Sequence, residues 1–147
     1  MKRLSLVLLG ASVLLVGCNR TPDVTGVWTQ VPTKAGKGTI HTITFYKDGV
    51  YEDRLQADDA PTAIVNRGTY TIVEGKLFTS PENVDLVAFS AAQKKKIEAD
   101  KKAKQSMLEP SAGKMIWNGN DEFEFVPDKP SKNSKTPAEK VIFRRKK

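Results

Sequence analysis

The chain carries one cysteine, Cys18, and one histidine, His41, so the side chains best suited to nucleophilic and metal chemistry are scarce. A single cysteine allows no disulfide within the chain. A single histidine rules out a histidine-only metal site, and no His/Asp/Glu cluster has zinc-ligand spacing, so no metal or other cofactor is expected. A hydrolytic triad needs a nucleophile, a base and an orienting acid. Ser80 or Ser90 can be combined with His41 and Asp48 on paper, but no pattern joins them. The acidic pairs Asp58-Asp59 and Asp121-Glu122 read as solvated turns and could at most hold Ca²⁺ weakly. Gly36-Lys37-Gly38 lacks the frame of a phosphate-binding loop. The residues therefore favour a protein that is not an enzyme.

Cys18 has a definite setting. Lys2 and Arg3 precede a run of 14 uncharged residues, Leu4 to Gly17. As a helix this run would span ~21 Å, short of the ~30 Å hydrocarbon core of a bilayer. A short apolar run with a basic front is the pattern of a signal-peptide core, not of a permanent membrane span. Leu15-Val16-Gly17-Cys18 closes it, and this resembles the lipobox of bacterial lipoproteins. The resemblance implies cleavage between Gly17 and Cys18, a diacylglycerol thioether on Cys18, and acylation of the new amino group. Cys18 would then tie the protein to a membrane by two or three acyl chains, where one chain alone is marginal. Asn19, rather than Asp, after the cysteine implies delivery to the outer membrane, facing the periplasm.

Residues 18–147 make 130 residues, one domain's worth, with 22 basic and 17 acidic side chains and a net charge of +5. The excess is concentrated in Lys94 to Lys104 and in Arg144-Arg145-Lys146-Lys147. Such charge favours anionic lipid headgroups or acidic envelope proteins as partners. A secreted chain gives nucleic acid no role.

The elements that would position these residues are mostly strands. Asn19 to Thr25 is a polar tether, and Gly26 to Val31 is a first strand. Thr39 to Tyr46 is rich in β-branched and aromatic residues, with His41, Ile43 and Phe45 on one face. Lys47-Asp48-Gly49 is a hairpin turn into Val50 to Leu55. Arg67 to Val73 turns at Glu74-Gly75 into Lys76 to Thr79, and Asp85 to Phe89 is a further short strand or a lead-in. Residues 90–109 break this pattern. Ser90 and Gln93 have capping-box spacing, the interior is Ala, Lys, Gln and Glu, and Pro110 ends it. Glu98 with Lys102 and Asp100 with Lys104 are favourable i,i+4 pairs. We expect one basic surface helix of about five turns. Near a lipid anchor each lysine could add ~1 kcal/mol of attraction to anionic headgroups. Lys114 to Trp117 and Glu122 to Val126 flank Asn118-Gly119-Asn120-Asp121 as a third hairpin. Residues 127–140 form a polar loop, and Val141 to Phe143 is a last strand before a basic tail.

Some eight hairpin-linked strands predict a mainly β domain over residues 26–147, an antiparallel up-and-down barrel or strongly curved sheet, with one inserted helix. Gly26-Val27-Trp28, then Phe45-Tyr46-Lys47-Asp48-Gly49-Val50-Tyr51, then Gly68-Thr69-Tyr70 come in an order that resembles the lipocalin-like small-barrel lipoproteins. The resemblance covers residues 24–80 and, more loosely, 117–143. It implies that Trp28 packs across one end of a barrel. Trp28, Phe45, Tyr51, Tyr70, Phe78, Trp117, Phe123 and Phe125 are the aromatics that fill such a barrel or line a ligand cavity in it, and His41 belongs to the core or its rim. Three functions follow: a non-enzymatic binding or structural module, a carrier of a small apolar ligand, or an inhibitor or partner of an envelope enzyme.

Overall fold

The structure, a computed structural model, describes residues 22–32, 38–129 and 140–147. Among these residues eight strands follow one another: β1 (Gly26–Gln30), β2 (Thr39–Phe45), β3 (Val50–Ala57), β4 (Ala63–Val73), β5 (Lys76–Val87), β6 (Ser111–Trp117), β7 (Glu122–Pro127) and β8 (Val141–Arg145). Two helices, α1 (Ala91–Ala99) and α2 (Lys101–Met107), lie between β5 and β6. Each strand pairs antiparallel with the next, and β8 pairs back onto β1, so the sheet closes into a barrel. This is the mainly β, up-and-down architecture expected from the hairpin spacing. It agrees with what the lipocalin resemblance implies.

The two ends of the barrel differ. The β2–β3, β4–β5 and β6–β7 turns gather at one end, called the floor. The residues before β1 and after β8 leave there too. Tight turns are possible because residues such as Gly49 adopt a left-handed backbone, with φ of 82°. The other end, called the mouth, is where β1, β3, β5 and β7 end, and from it α1 and α2 lead to β6.

Residues paired across the strands share a face, so the register defines what points inward. One rung runs Trp28–Ile43–Asp53–Asn66–Val84, and the next runs His41–Leu55–Ile64–Leu86. The floor half is apolar. Trp28, Phe45, Tyr51, Leu77, Met115, Phe123 and Phe143 are all buried, and Val24 closes the cluster from below. Trp28 meets Phe123 and Trp117 edge-on at 4.9 and 5.8 Å between ring centroids. Phe123 stacks on Phe143 at 5.2 Å.

Several elements depart from the sequence reading. β4 begins four residues earlier than expected, and β3 runs on to Ala57. β5 is one strand of 12 residues, not two short pieces. The register jumps within it, so Glu82 is an extra residue and Pro81 sits at a bulge, where a proline is tolerated in a strand. Gly68 faces the bulge so closely that a Cβ would run into the Ser80 carbonyl. The single five-turn helix is in fact two shorter helices. Asp100 leaves helical geometry (φ −83°, ψ 87°) and its carboxylate caps α2, accepting from the Lys102 and Ala103 amides. It is thus engaged with backbone instead of the expected Lys104. The Ser90–Gln93 capping box is present as expected. Arg144 and Arg145 are not tail but strand β8. Arg145 lies 4.4 Å over the Trp28 ring and donates to the Thr25 and Asp23 carbonyls.

Candidate functional site

Above the aromatic floor the interior becomes polar. β2 projects His41 inward, β1 brings Gln30 beside it, and β3 brings Asp53. His41 Nε2 meets Asp53 Oδ1 at 2.6 Å, and Nδ1 meets Gln30 Oε1 at 2.8 Å. A carboxylate only accepts, so Nε2 donates to Asp53; an amide oxygen also only accepts, so the contact to Gln30 Oε1 needs a proton on Nδ1 as well, whereas a neutral ring would accept at Nδ1 from the Gln30 amide turned to present its Nε2. The edge of Phe143 closes off the imidazole from the floor, 5.2 Å away. His41 and Asp53 are about one-fifth exposed (21% and 22%), so solvent reaches them from the mouth. Asn66 is the next inward residue along the rung, and its Oδ1 is buried without a hydrogen-bond partner. Val84 lies beside Asn66 on that rung, and Leu55, Ile64 and Leu86 lie on the next rung with His41, on the inward face of the mouth half. This mouth half, in which His41, Gln30, Asp53 and Asn66 alternate with apolar side chains, is called the bowl.

The sequence-predicted residues fall into three groups. Trp28 and Phe45 are floor core, with Trp28 donating its Nε1 proton to the Val24 carbonyl at 2.7 Å. Trp117, Tyr70 and Phe125 pack against that core and are partly exposed. Tyr70 stacks edge-on to Phe45 at 4.8 Å and donates its hydroxyl to the Tyr46 carbonyl. Trp117 Nε1 is buried with no partner. His41 alone among the predicted residues belongs to the polar layer. Phe78, counted with the core aromatics, is a correction: it faces outward, 39% exposed, beneath the Lys76 ammonium, because its neighbour Leu77 takes the inward position. Cys18 lies outside the described residues, as do residues 130–139 of the polar loop.

Sequence reasoning missed Gln30, Asp53 and Asn66. The signal for Asp53 was present, since Tyr51, Asp53 and Leu55 alternate on one face of β3. Two tyrosines register the low polarity below. Burial, reinforced by the Asp53 charge, pushes the Tyr51 phenol up to about 12. Burial also raises that of Tyr70.

The helices add two further concavities. A groove of ≈ 1120 Å³ runs along the outer wall of β4 and β5, past Phe78, to α2 and Asp128. A smaller cavity of ≈ 250 Å³ lies between Val84 and Leu86 on one side and Ile97 and Met107 on the other. Neither helix buries a residue.

Among the described residues no group of His, Cys, Asp and Glu has the arrangement of a metal site. No helix there is long and apolar enough to cross a membrane. No protein-family model matches the chain, and no curated protein matches it in sequence.

Proposed function

We propose that this chain is a lipid-anchored protein of a bacterial cell envelope, a non-enzymatic binding or structural module held by Cys18 at the outer membrane and facing the periplasm. The reading is supported by how the chain enters the barrel. Val24 is buried beneath Trp28, and Arg145 holds the carbonyls of Asp23 and Thr25, so the segment that follows Cys18 is clamped at the filled floor. The six steps from Cys18 to Val24 reach at most ~20 Å. An anchor at Cys18 would therefore draw the floor toward the bilayer and turn the bowl away from it. Intact mass of the membrane-extracted protein tests this. The expected mass is residues 18–147 plus acyl chains, with the acyl increment lost in Cys18→Ala. An uncut or unlipidated mass overturns the anchor.

The carrier reading is favoured only for the mouth half, since the floor half is filled by aromatic side chains. A third reading, docking on anionic lipid or an acidic envelope protein, draws on the helices. Lys94, Lys95, Lys96, Lys101, Lys102 and Lys104 are all exposed.

A further inference from the structure

We propose that the free edge of β5 beyond its pairing with β6, from Asn83 to Val87, binds an extended peptide segment of a partner protein, which pairs with it as an added strand and carries apolar side chains at alternate positions. This deepens the binding-module reading and rests on that part of it, not on the anchor.

The barrel closes at its floor half, but β6 covers only part of β5. It pairs with Lys76 to Thr79, whereas β4 pairs with β5 as far as Val87. From Ser80 onward no strand takes the second side of β5, and among the described residues no other backbone group bonds to it there. Such an edge leaves the N–H and C=O groups of alternate residues unpaired, a template for another strand. Pro81 and the bulge at Glu82 disturb its lower part. Asn83 to Val87 is in regular register with β4 and free of proline, a span of ~16 Å. Ser80, Glu82, Asn83 and Val87 are exposed, so the edge can be reached.

Proteins commonly cover such an edge. Here the cover is α1 and α2, and it is thin. Neither helix buries a residue, and the side chains of Ser90, Gln93 and Asp100 bond within the helical segment. Two concavities remain between cover and edge. The larger meets β5 at Thr79 and Ser80, where β6 departs, and the smaller at Val84 to Leu86, with α2 lining both. An extended backbone fits this place, because it continues the line in which β6 already pairs and supplies donors and acceptors at the spacing of the edge. Val84 and Leu86, with Ile97 and Met107 across the smaller cavity, give every second side chain of the added strand an apolar setting. Asp85 is already held by Arg67 at 2.7 Å, and around that cavity Asp85 and Glu98 against Lys94 and Lys104 cancel in number. The segment therefore needs no net charge. A second copy of this chain fits less well, since two β5 edges laid antiparallel would bring Glu82 and Asp85 of each against those of the other.

The test uses the full chain carrying Cys18→Ala, so that it stands apart from the anchor. Two probes are titrated: a short peptide of alternating threonine and valine with a lysine at each end, and its twin with every backbone amide N-methylated. Backbone amides are followed by NMR and hydrogen exchange. The expected result with the first peptide is a saturable shift and slowed exchange of amides within Asn83–Val87, with no response to the twin. Leu86→Lys, which points a charge into the apolar side of the added strand, should weaken the apparent Kd about tenfold or more. If that variant loosens the barrel, Val84→Cys with Ile97→Cys serves instead. A disulfide between them holds α1 on the edge, so binding should vanish under oxidation and return with dithiothreitol. Equal binding of the twin, shifts confined to residues outside β5, no saturation, or binding unchanged in both variants overturns the proposal. A dimer whose formation alone protects these amides gives the edge to a second copy and overturns it too.

Discussion

At the scale of single residues, two buried polar atoms among the described residues are unpaired, Trp117 Nε1 in the aromatic floor and Asn66 Oδ1 above it. Asn66→Leu should stabilise the protein, because it replaces an unpaired buried acceptor by an apolar group of similar volume. A gain of ~1 kcal/mol, or about 4 °C in Tm, is the expected scale. A thermal melt of the two proteins measures it. Trp28→Ala should cost about 3–5 kcal/mol in a denaturant titration, since it opens a cavity and strips Arg145 of the ring it covers. Tyr51 gives a pH signature. Its phenol ionises at about 12 in the folded barrel against about 10 when unfolded, so the fold is favoured fully below pH 10. That contribution is lost as pH rises from 10 to 12, and Tyr51→Phe should flatten the decline in Tm across that window. His41 was legible in the sequence as an inward residue from strict alternation with Ile43 and Phe45. Its partners were not, because a glutamine and an aspartate inside strands read as surface until the cross-strand register is known.

At the scale of elements, the tall β4–β5 pair builds one wall of the bowl, and its shape depends on one close approach. Gly68→Ala should cost about 1–3 kcal/mol, because the new methyl group meets the Ser80 carbonyl across the bulge. Equilibrium unfolding in urea checks this. The length of β5 was hidden in the sequence by Pro81, which breaks an ordinary strand but is tolerated at a bulge. The helical segment was legible from its capping box and composition, but its break was not. Asp100 satisfies the i,i+4 rule with Lys104 and equally the capping of a new helix, and only the backbone angles decide between them. Asp100→Ala should speed amide exchange over residues 101–107 while leaving the barrel's melting unchanged, since neither helix buries a residue. Hydrogen-exchange mass spectrometry separates the two effects.

At the scale of the whole molecule, the fold has an aromatic, short-turned end and a more polar end where β1, β3, β5 and β7 finish. The barrel itself was legible because short alternating runs and turn residues recur along the chain, and strands so linked pair with their neighbours. The seam was not. Val141–Phe143 announced a strand, but nothing local says that Arg144 and Arg145 extend it or that its second neighbour is β1. That pairing joins Trp28 to Arg145, 117 positions away.

The seam has a consequence in time. Seven of the eight strand pairings link elements adjacent in the chain and can form as each hairpin emerges. The eighth cannot form until Arg145 is available, so a growing or threading chain exists as an open ribbon with two raw edges. Pairing across so long a loop is slow, because the closure entropy comes before any compensating contact. During that interval β1 offers its unpaired amides and carbonyls to any passing strand, including that of a sibling chain. The barrel's solubility while it is being made therefore depends on how soon β8 arrives, a property of synthesis that the finished, closed ring does not display.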